Sequence, residues 1–171
     1  MKWFIKCLKQ YADFKGRARR KEYWWFTLIN FIIMMILMVP LMAQLFKLGL
    51  SGADMSEYEL YAFMFSSPFL WIIIVYYLAV LLPGIAVCIR RLHDIGRSGW
   101  WVLLIYGGSV LSTIGNIIKD DNLLAYAIIA LVALIIGIIG LVWLFTDSQP
   151  GENQWGPNPK EPQVTVDDNQ Q

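Results

Sequence analysis

Charged residues fall in blocks along this chain, and the gaps between the blocks predict its elements. Four windows, 24–46, 68–89, 100–118 and 123–145, contain no Asp, Glu, Lys or Arg. Each holds about 19 to 23 residues, enough at about 1.5 Å per residue to cross a hydrocarbon core about 30 Å thick. A buried helix of a soluble domain rarely lacks charge on every face over that length. The pattern predicts an all-α polytopic membrane protein with four transmembrane helices. Ahead of them, Trp3, Phe4, Cys7, Leu8, Tyr11 and Phe14 share one helical face and Lys2, Lys6 and Lys9 the opposite one, with Ile5 the exception. That is the pattern of an N-terminal amphipathic interfacial helix, its lysines turned to anionic lipid. A partner-binding helix is the rival reading. The domain organisation expected is an interfacial helix over 1–15, a transmembrane domain over 16–146 and a tail over 147–171.

Helix punctuation refines these elements. Pro68 suits the first turn of the second span, and Pro83 with Gly84 should kink that span near its end. The helix can continue through Asp94 to a left-handed cap at Gly96, which would make Arg90 and Asp94 i,i+4 partners. Ser98 is a candidate N-cap for the third span and Ser56 for a short helix in the loop before the second. Gly108, Ser112 and Gly115 on the third span, and Ala130, Ala133, Gly137 and Gly140 on the fourth, recur at helical spacing. Small residues on one face let helices approach closely in lipid, so these spans should pair as a hairpin through 119–122; a homodimer could use the same stripe. Asn30, in the first span, should bond a neighbouring helix.

Composition agrees: 57% of residues are hydrophobic and 16% charged, against about a quarter charged in soluble domains, and the mean hydropathy is +0.51. The net charge of +1 matters only by location. Lys2, Lys6, Lys9, Lys15, Arg17, Arg19, Arg20 and Lys21 precede the first span, and Arg90, Arg91 and Arg97 follow the second. The other connections carry Lys47 against Asp54, Glu57 and Glu59, and Lys119 against Asp120 and Asp121. By the Lys/Arg bias of short loops, the N-terminus and the 90–99 turn lie in the cytoplasm, and four spans return the C-terminal tail there. Cys7 and Cys88, near that side, read as reduced packing residues. The first span is too long, and lacks a small-residue cleavage site, for a removable signal.

The candidate chemistry sits in the same end. Arg17, Arg19, Arg20, Arg90, Arg91, His93, Arg97 and Ser98 could bind an anionic headgroup or phosphate, since guanidinium groups suit bidentate phosphate contact. Glu22 and Asp94 would hold the arginines in place, with Arg19, Arg90 or Arg91 as partner to Glu22. Trp24, Trp25, Trp100 and Trp101 would mark the membrane interface. Trp155, alone in the turn-rich segment 147–159, should fold back against both basic stretches. Residues 160–171 are acidic and predict disorder. His93 and Asp94 point about 100° apart on a helix and make no acid–base dyad; one histidine without clustered carboxylates makes a poor metal site. No phosphate-binding loop, nucleophile elbow or zinc-protease motif occurs. No catalytic residue, metal or cofactor is expected.

Three stretches together, FKGRARRKEYWWF (14–26), RRLHDIGRSGWW (90–101) and GENQWGPNP (151–159), resemble the bacterial inner-membrane family catalogued as domain of unknown function 805. Trp155 and Asn158 stand where members of that family often carry Tyr and Asp. The resemblance implies four spans in the bacterial inner (plasma) membrane and brings no activity, cofactor or substrate. The function expected is therefore a non-enzymatic membrane protein. Its basic-aromatic platform would bind anionic lipid headgroups or a partner membrane protein, with a homo-oligomer as a further partner. The alternatives are simple anchoring, or a transporter whose homo-oligomer encloses a pore lined by Asn30, Gln44, Ser112, Thr113 and Asn116. Intramembrane ionisable residues, which mark most pathways, are missing from all four windows. Nucleic acid is not an expected partner, because headgroups compete for the same cations.

Overall fold

The computed structural model describes residues 2–52, 55–119 and 122–161. The expected acidic tail end over 162–171, and Asp54, Asp120 and Asp121 in the two acidic loops, lie outside the described residues. The elements are α1 (Lys2–Lys9), α2 (Arg20–Leu50), α3 (Glu57–Ser66), α4 (Pro68–Asp94), α5 (Trp101–Ile118) and α6 (Leu123–Phe145). Helices α2, α4, α5 and α6 are each long and apolar enough to cross a membrane. Their outward faces carry exposed apolar side chains such as Phe31, Ile36, Val39, Val75, Leu103, Ile117 and Leu134, the surface a bilayer covers.

Local chemistry sets the helix ends. Ser56 caps α3 in a reciprocal capping box with Glu59. Pro68 opens α4, where its missing N–H costs nothing. Helix α4 runs on to Asp94 and ends in a Schellman turn: Gly96 takes φ +76°, Gly96 N donates to the His93 carbonyl at 3.1 Å, and Arg97 N to Leu92 at 2.9 Å. Ser98 does not cap α5. The helix starts at Trp101 with Trp100 as N-cap, and the Ser98 hydroxyl accepts only a long 3.4 Å bond from Trp100 N. A tight turn, held by Trp101 N on the Ser98 carbonyl at 3.2 Å, takes up the residues between.

Helices α5 and α6 form the expected hairpin, held by knobs of isoleucine on glycine. A Cβ on Gly108 would come 3.1 Å from Ile136, one on Gly115 3.0 Å from Ile129, and one on Gly140 3.2 Å from Ile105. Helix α2 lies along α4, where the Tyr76 hydroxyl donates to Asn30 Oδ1 at 2.6 Å. Helix α1 is shorter than the 1–15 stretch. Beyond Lys9 the chain turns, and Asp13 draws Lys15 N to its side chain at 3.0 Å, a local bond that competes with helix. Its apolar face is spent on protein as well as lipid: Cys7 is fully buried and Phe4 stacks on Phe26 with ring centroids 5.5 Å apart. Pro83 leaves the Ala79 carbonyl without its helical donor. The Tyr11 hydroxyl supplies one at 2.8 Å, pinning the chain after α1 onto α4.

Candidate functional site

The most enclosed large side chains are charged. Arg90, Arg91, Glu22 and Asp94 stand among the largest fully buried residues, with Leu92 and Val87 between them. All gather at one end of the bundle, where the last turns of α4 meet the first turn of α2, the end of α6, the 10–19 segment and the tail. A charge buried there requires a partner for every hydrogen-bonding group.

Asp94 is the hub. Its carboxylate receives Arg17 Nε at 3.1 Å, the Ser148 hydroxyl at 2.6 Å and, through a very short contact, Arg91 Nη1. Its carbonyl receives Gln149 N at 2.8 Å. Arg17 spends its other N–H groups on backbone carbonyls: Gly151 at 2.7 Å, Gly156 at 3.3 Å, Gln149 at 2.5 Å and Asp94 at 3.3 Å. One guanidinium group thus ties the tail to α4. Trp155 is presented by a turn in which Asn153 and Gly156 exchange backbone bonds. Its ring stacks on His93 with centroids 4.6 Å apart and planes 9° from parallel. Asn153 Nδ2 donates to the His93 carbonyl at 3.0 Å.

Glu22 is a second centre. Lys6 Nζ lies 2.7 Å from Oε2 and Arg90 Nη2 3.4 Å from Oε1, while the Cys7 thiol touches the same carboxylate. Arg90 also donates to the Asp13 carbonyl at 3.1 Å. Burial, aided by the Glu22 charge, pushes the Cys7 thiol up to about 12, so it stays protonated. Four cations, Lys6, Arg17, Arg90 and Arg91, thus face two carboxylates, and carbonyl oxygens balance the excess. Helix α6 supplies several of these at its negative end. Arg91 takes Leu144 at 3.3 Å and the Thr146 carbonyl, and Arg20 takes Phe145 at 3.1 Å while pairing Asp147 at 2.9 Å. Among the described residues Arg90 Nε and Trp24 Nε1 lack partners. Burial lowers the Arg91 pKa against the pull of Asp94. It lowers that of His93 too, against its bond to the Gly16 carbonyl.

Two expectations change. Arg90 does not pair Asp94 at i,i+4; Arg91 does so at i,i+3, because Arg90 turns toward α2 and Glu22. Arg17, Arg90 and Arg91 do not present charge to a ligand, since all three are buried with their guanidinium groups on internal partners. The side chains left at the surface are Arg19, half-buried, and Lys21, exposed, with Arg20 partly engaged. Arg20, Lys21, Trp24, Trp25 and Leu28 line a groove of about 220 Å³. Arg97 lies over the Trp143 ring, 4.1 Å from its centroid, and Trp101 packs edge-on against Trp143 at 5.1 Å. Trp24 stacks on Phe145 at 4.3 Å. Ser98 and the largely exposed Trp100 border a separate cleft beside His93 and Trp155.

Sequence reasoning missed Lys6, Tyr11, Asp13 and Ser148 as parts of this end. Two signals pointed to them: the carbonyl stranded by Pro83 needs a donor, and α6, followed by TDSQP, has no basic residue in its last turn to meet its last carbonyls. Among the described residues, no group of three or more His, Cys, Asp or Glu comes together to hold a metal ion.

Comparison with known proteins places this architecture. The inner membrane protein YhaI of Escherichia coli (strain K12) is 44% identical over 106 residues, covering 62% of this chain and 72% of its own length. The inner membrane protein YhaH of the same organism is 33% identical over 160 residues, 94% of this chain and 98% of its own. No solved structure matches. The family described as "Protein of unknown function (DUF805)" matches residues 11–157, which include both basic motifs, the tail motif up to Pro157 and all four long helices. This chain is therefore a multi-pass inner-membrane protein belonging to the DUF805 family.

Proposed function

We propose that the chain is a non-enzymatic membrane protein whose basic end, on the cytoplasmic side, holds anionic phospholipid headgroups at the start of α2. The observation that carries this reading is the division of labour among the cations. Arg17, Arg90 and Arg91 are used up inside, while Arg20 and Lys21 line a groove with Trp24, Trp25 and Leu28, and the half-buried Arg19 immediately precedes them. Cations above amphipathic rings and an apolar floor match a phosphate headgroup above its acyl chains. The cytoplasmic assignment is supported by the Lys/Arg bias and by the meeting of the N-terminal segment and the tail at Arg17. Three of the five residues proposed to line a pore spend their polar groups inside the protein. Asn30 is bonded to Tyr76, Gln44 to Ser67, and Thr113 to the Ser109 carbonyl of its own helix.

Arg19→Gln with Lys21→Gln removes two surface charges without touching the buried core. Each juxtamembrane cation contributes about 1 kcal/mol toward an anionic surface. In native mass spectrometry with mixed phosphatidylglycerol and phosphatidylcholine, the double variant should retain about tenfold less of the anionic lipid. Unchanged retention would remove the basis for the headgroup reading.

A further inference from the structure

Apart from the α2 groove, with which it shares no lining residue, a cleft of about 400 Å³ opens beside His93. Its polar side comprises His93, Ser98, Trp100 and Trp155, and its apolar wall includes Ile89 and Leu103 on α4 and α5. His93 as a residue is 8% exposed, and its ring is oriented by one bond and one stack. Nδ1 lies 3.2 Å from the Gly16 carbonyl. A carbonyl can only accept, so Nδ1 carries the proton. In the neutral ring Nε2 is then a bare lone pair, with no hydrogen bond to a described residue. Gly99 lies next to it: a Cβ there would come 3.1 Å from Nε2 and 2.7 Å from Ile89. The lone pair is open to the cleft and offers an acceptor to a donor bound there. No Lys or Arg lines the cleft, so an anion would meet neither a cation nor a donor on the ring nitrogen.

We propose that this cleft is a lipid site for a primary ammonium headgroup, that of phosphatidylethanolamine, with His93 Nε2 accepting an N–H and indole rings flanking the cation. Indole faces attract ammonium groups, and a hydrogen bond from a charged donor is stronger than a neutral one. The occupant is a lipid because the wall runs from Ile89 to the exposed Leu103 and so into the bilayer-facing surface of the spans, where acyl chains lie. The site is independent of the Arg20–Leu28 groove and stands or falls separately from it.

The test exploits the single histidine of the chain. Protein labelled with 15N-histidine is placed in nanodiscs of phosphatidylcholine with or without phosphatidylethanolamine; the two headgroups share net charge, and only the second has N–H donors. The ring should show the Nδ1–H form in both, with Nε2 moving upfield only when phosphatidylethanolamine is present. In native mass spectrometry phosphatidylethanolamine should be retained about tenfold better than phosphatidylcholine, the worth of one charge-assisted hydrogen bond. His93→Phe, which preserves the stack on Trp155, should abolish that preference. An Nε2–H ring, an unmoved Nε2, equal retention of the two lipids, or a preference that survives His93→Phe would each overturn the proposal. So would a full Nε2 response to ethanolamine added to phosphatidylcholine discs, which would make the ligand a soluble amine.

Discussion

At Arg17 all five guanidinium N–H groups are engaged, one on the Asp94 carboxylate and the rest on carbonyls of Asp94, Gln149, Gly151 and Gly156. Lysine offers three donors on a point charge and cannot reproduce that fork. Removing one partner of a buried ion pair costs about 3–5 kcal/mol, because the other is left uncompensated. Arg17→Ala should therefore lower stability by about that amount, and Arg17→Lys should recover only part of it, measured by denaturant unfolding in micelles. His93 carries the pH dependence. Its folded-state pKa is depressed below the ordinary 6.5 by burial, so the docked state takes up a proton less readily than the undocked one. Docking of Trp155 should be constant above about pH 6.5 and weaken as pH falls below it. The 19F signal of 5-fluorotryptophan at position 155, assigned through Trp155→Phe, reads this directly. A signal flat to acid pH would mean that imidazole charge is irrelevant to the stack. Cys7, buried with its thiol raised to about 12, should resist alkylation in the folded protein at pH 8 and become reactive in Glu22→Ala, which leaves Lys6 and Arg90 without their carboxylate.

Between elements, the joint at Pro83 is a pairing of defect and repair. The Ala79 carbonyl loses its helical donor to the proline and regains one from Tyr11. Tyr11→Phe should cost about 1 kcal/mol in an otherwise unaltered chain. In a Pro83→Ala background, where the helix can satisfy its own carbonyl, the same change should cost little. A double-mutant cycle on unfolding free energy checks this, and equal costs in the two backgrounds would separate Tyr11 from the proline. The α5–α6 hairpin offers a second contrast. Gly115→Val would press on Ile129 from an already tight 3.0 Å and should cost about 1–3 kcal/mol. Gly137 has no atom within 4 Å of its would-be Cβ, so Gly137→Ala should stay within about 0.5 kcal/mol of wild type. Gly137 belongs to the same sequence stripe as Gly140, and only packing distinguishes them. The spans, the Gly96 cap and the Ser56 N-cap were legible because period, charge gap and cap chemistry are local. The pairing of charges was not, since Arg90 and Arg91 differ only in which neighbour each faces after α2, α4 and α6 have packed. Ser98 misled for a related reason: a cap hydroxyl two residues too early fits the letters as well as one in place.

Taken as a whole, the molecule has many large apolar residues turned outward to lipid and its largest fully buried side chains at one charged end. Segments far apart in sequence meet there: Ala18 N bonds the Arg90 carbonyl at 3.0 Å, and Gln149 N bonds that of Asp94 at 2.8 Å. The three motifs that carry the family resemblance are the three walls of this end, which explains their residue types: fork-shaped donors, carboxylates to orient them, and a glycine-rich tail with carbonyls to receive them. Hydrogen–deuterium exchange of the protein in nanodiscs, followed over residues 149–159 and at Ala18 in wild type and Arg17→Ala, tests this closure most directly. The expected result is slow exchange at Gln149, Asn153, Gly156 and Ala18 in wild type, with protection of the tail amides lost in the variant. Exchange of the tail at free-chain rates in wild type, or protection unchanged by Arg17→Ala, would contradict a charged core closed by the tail.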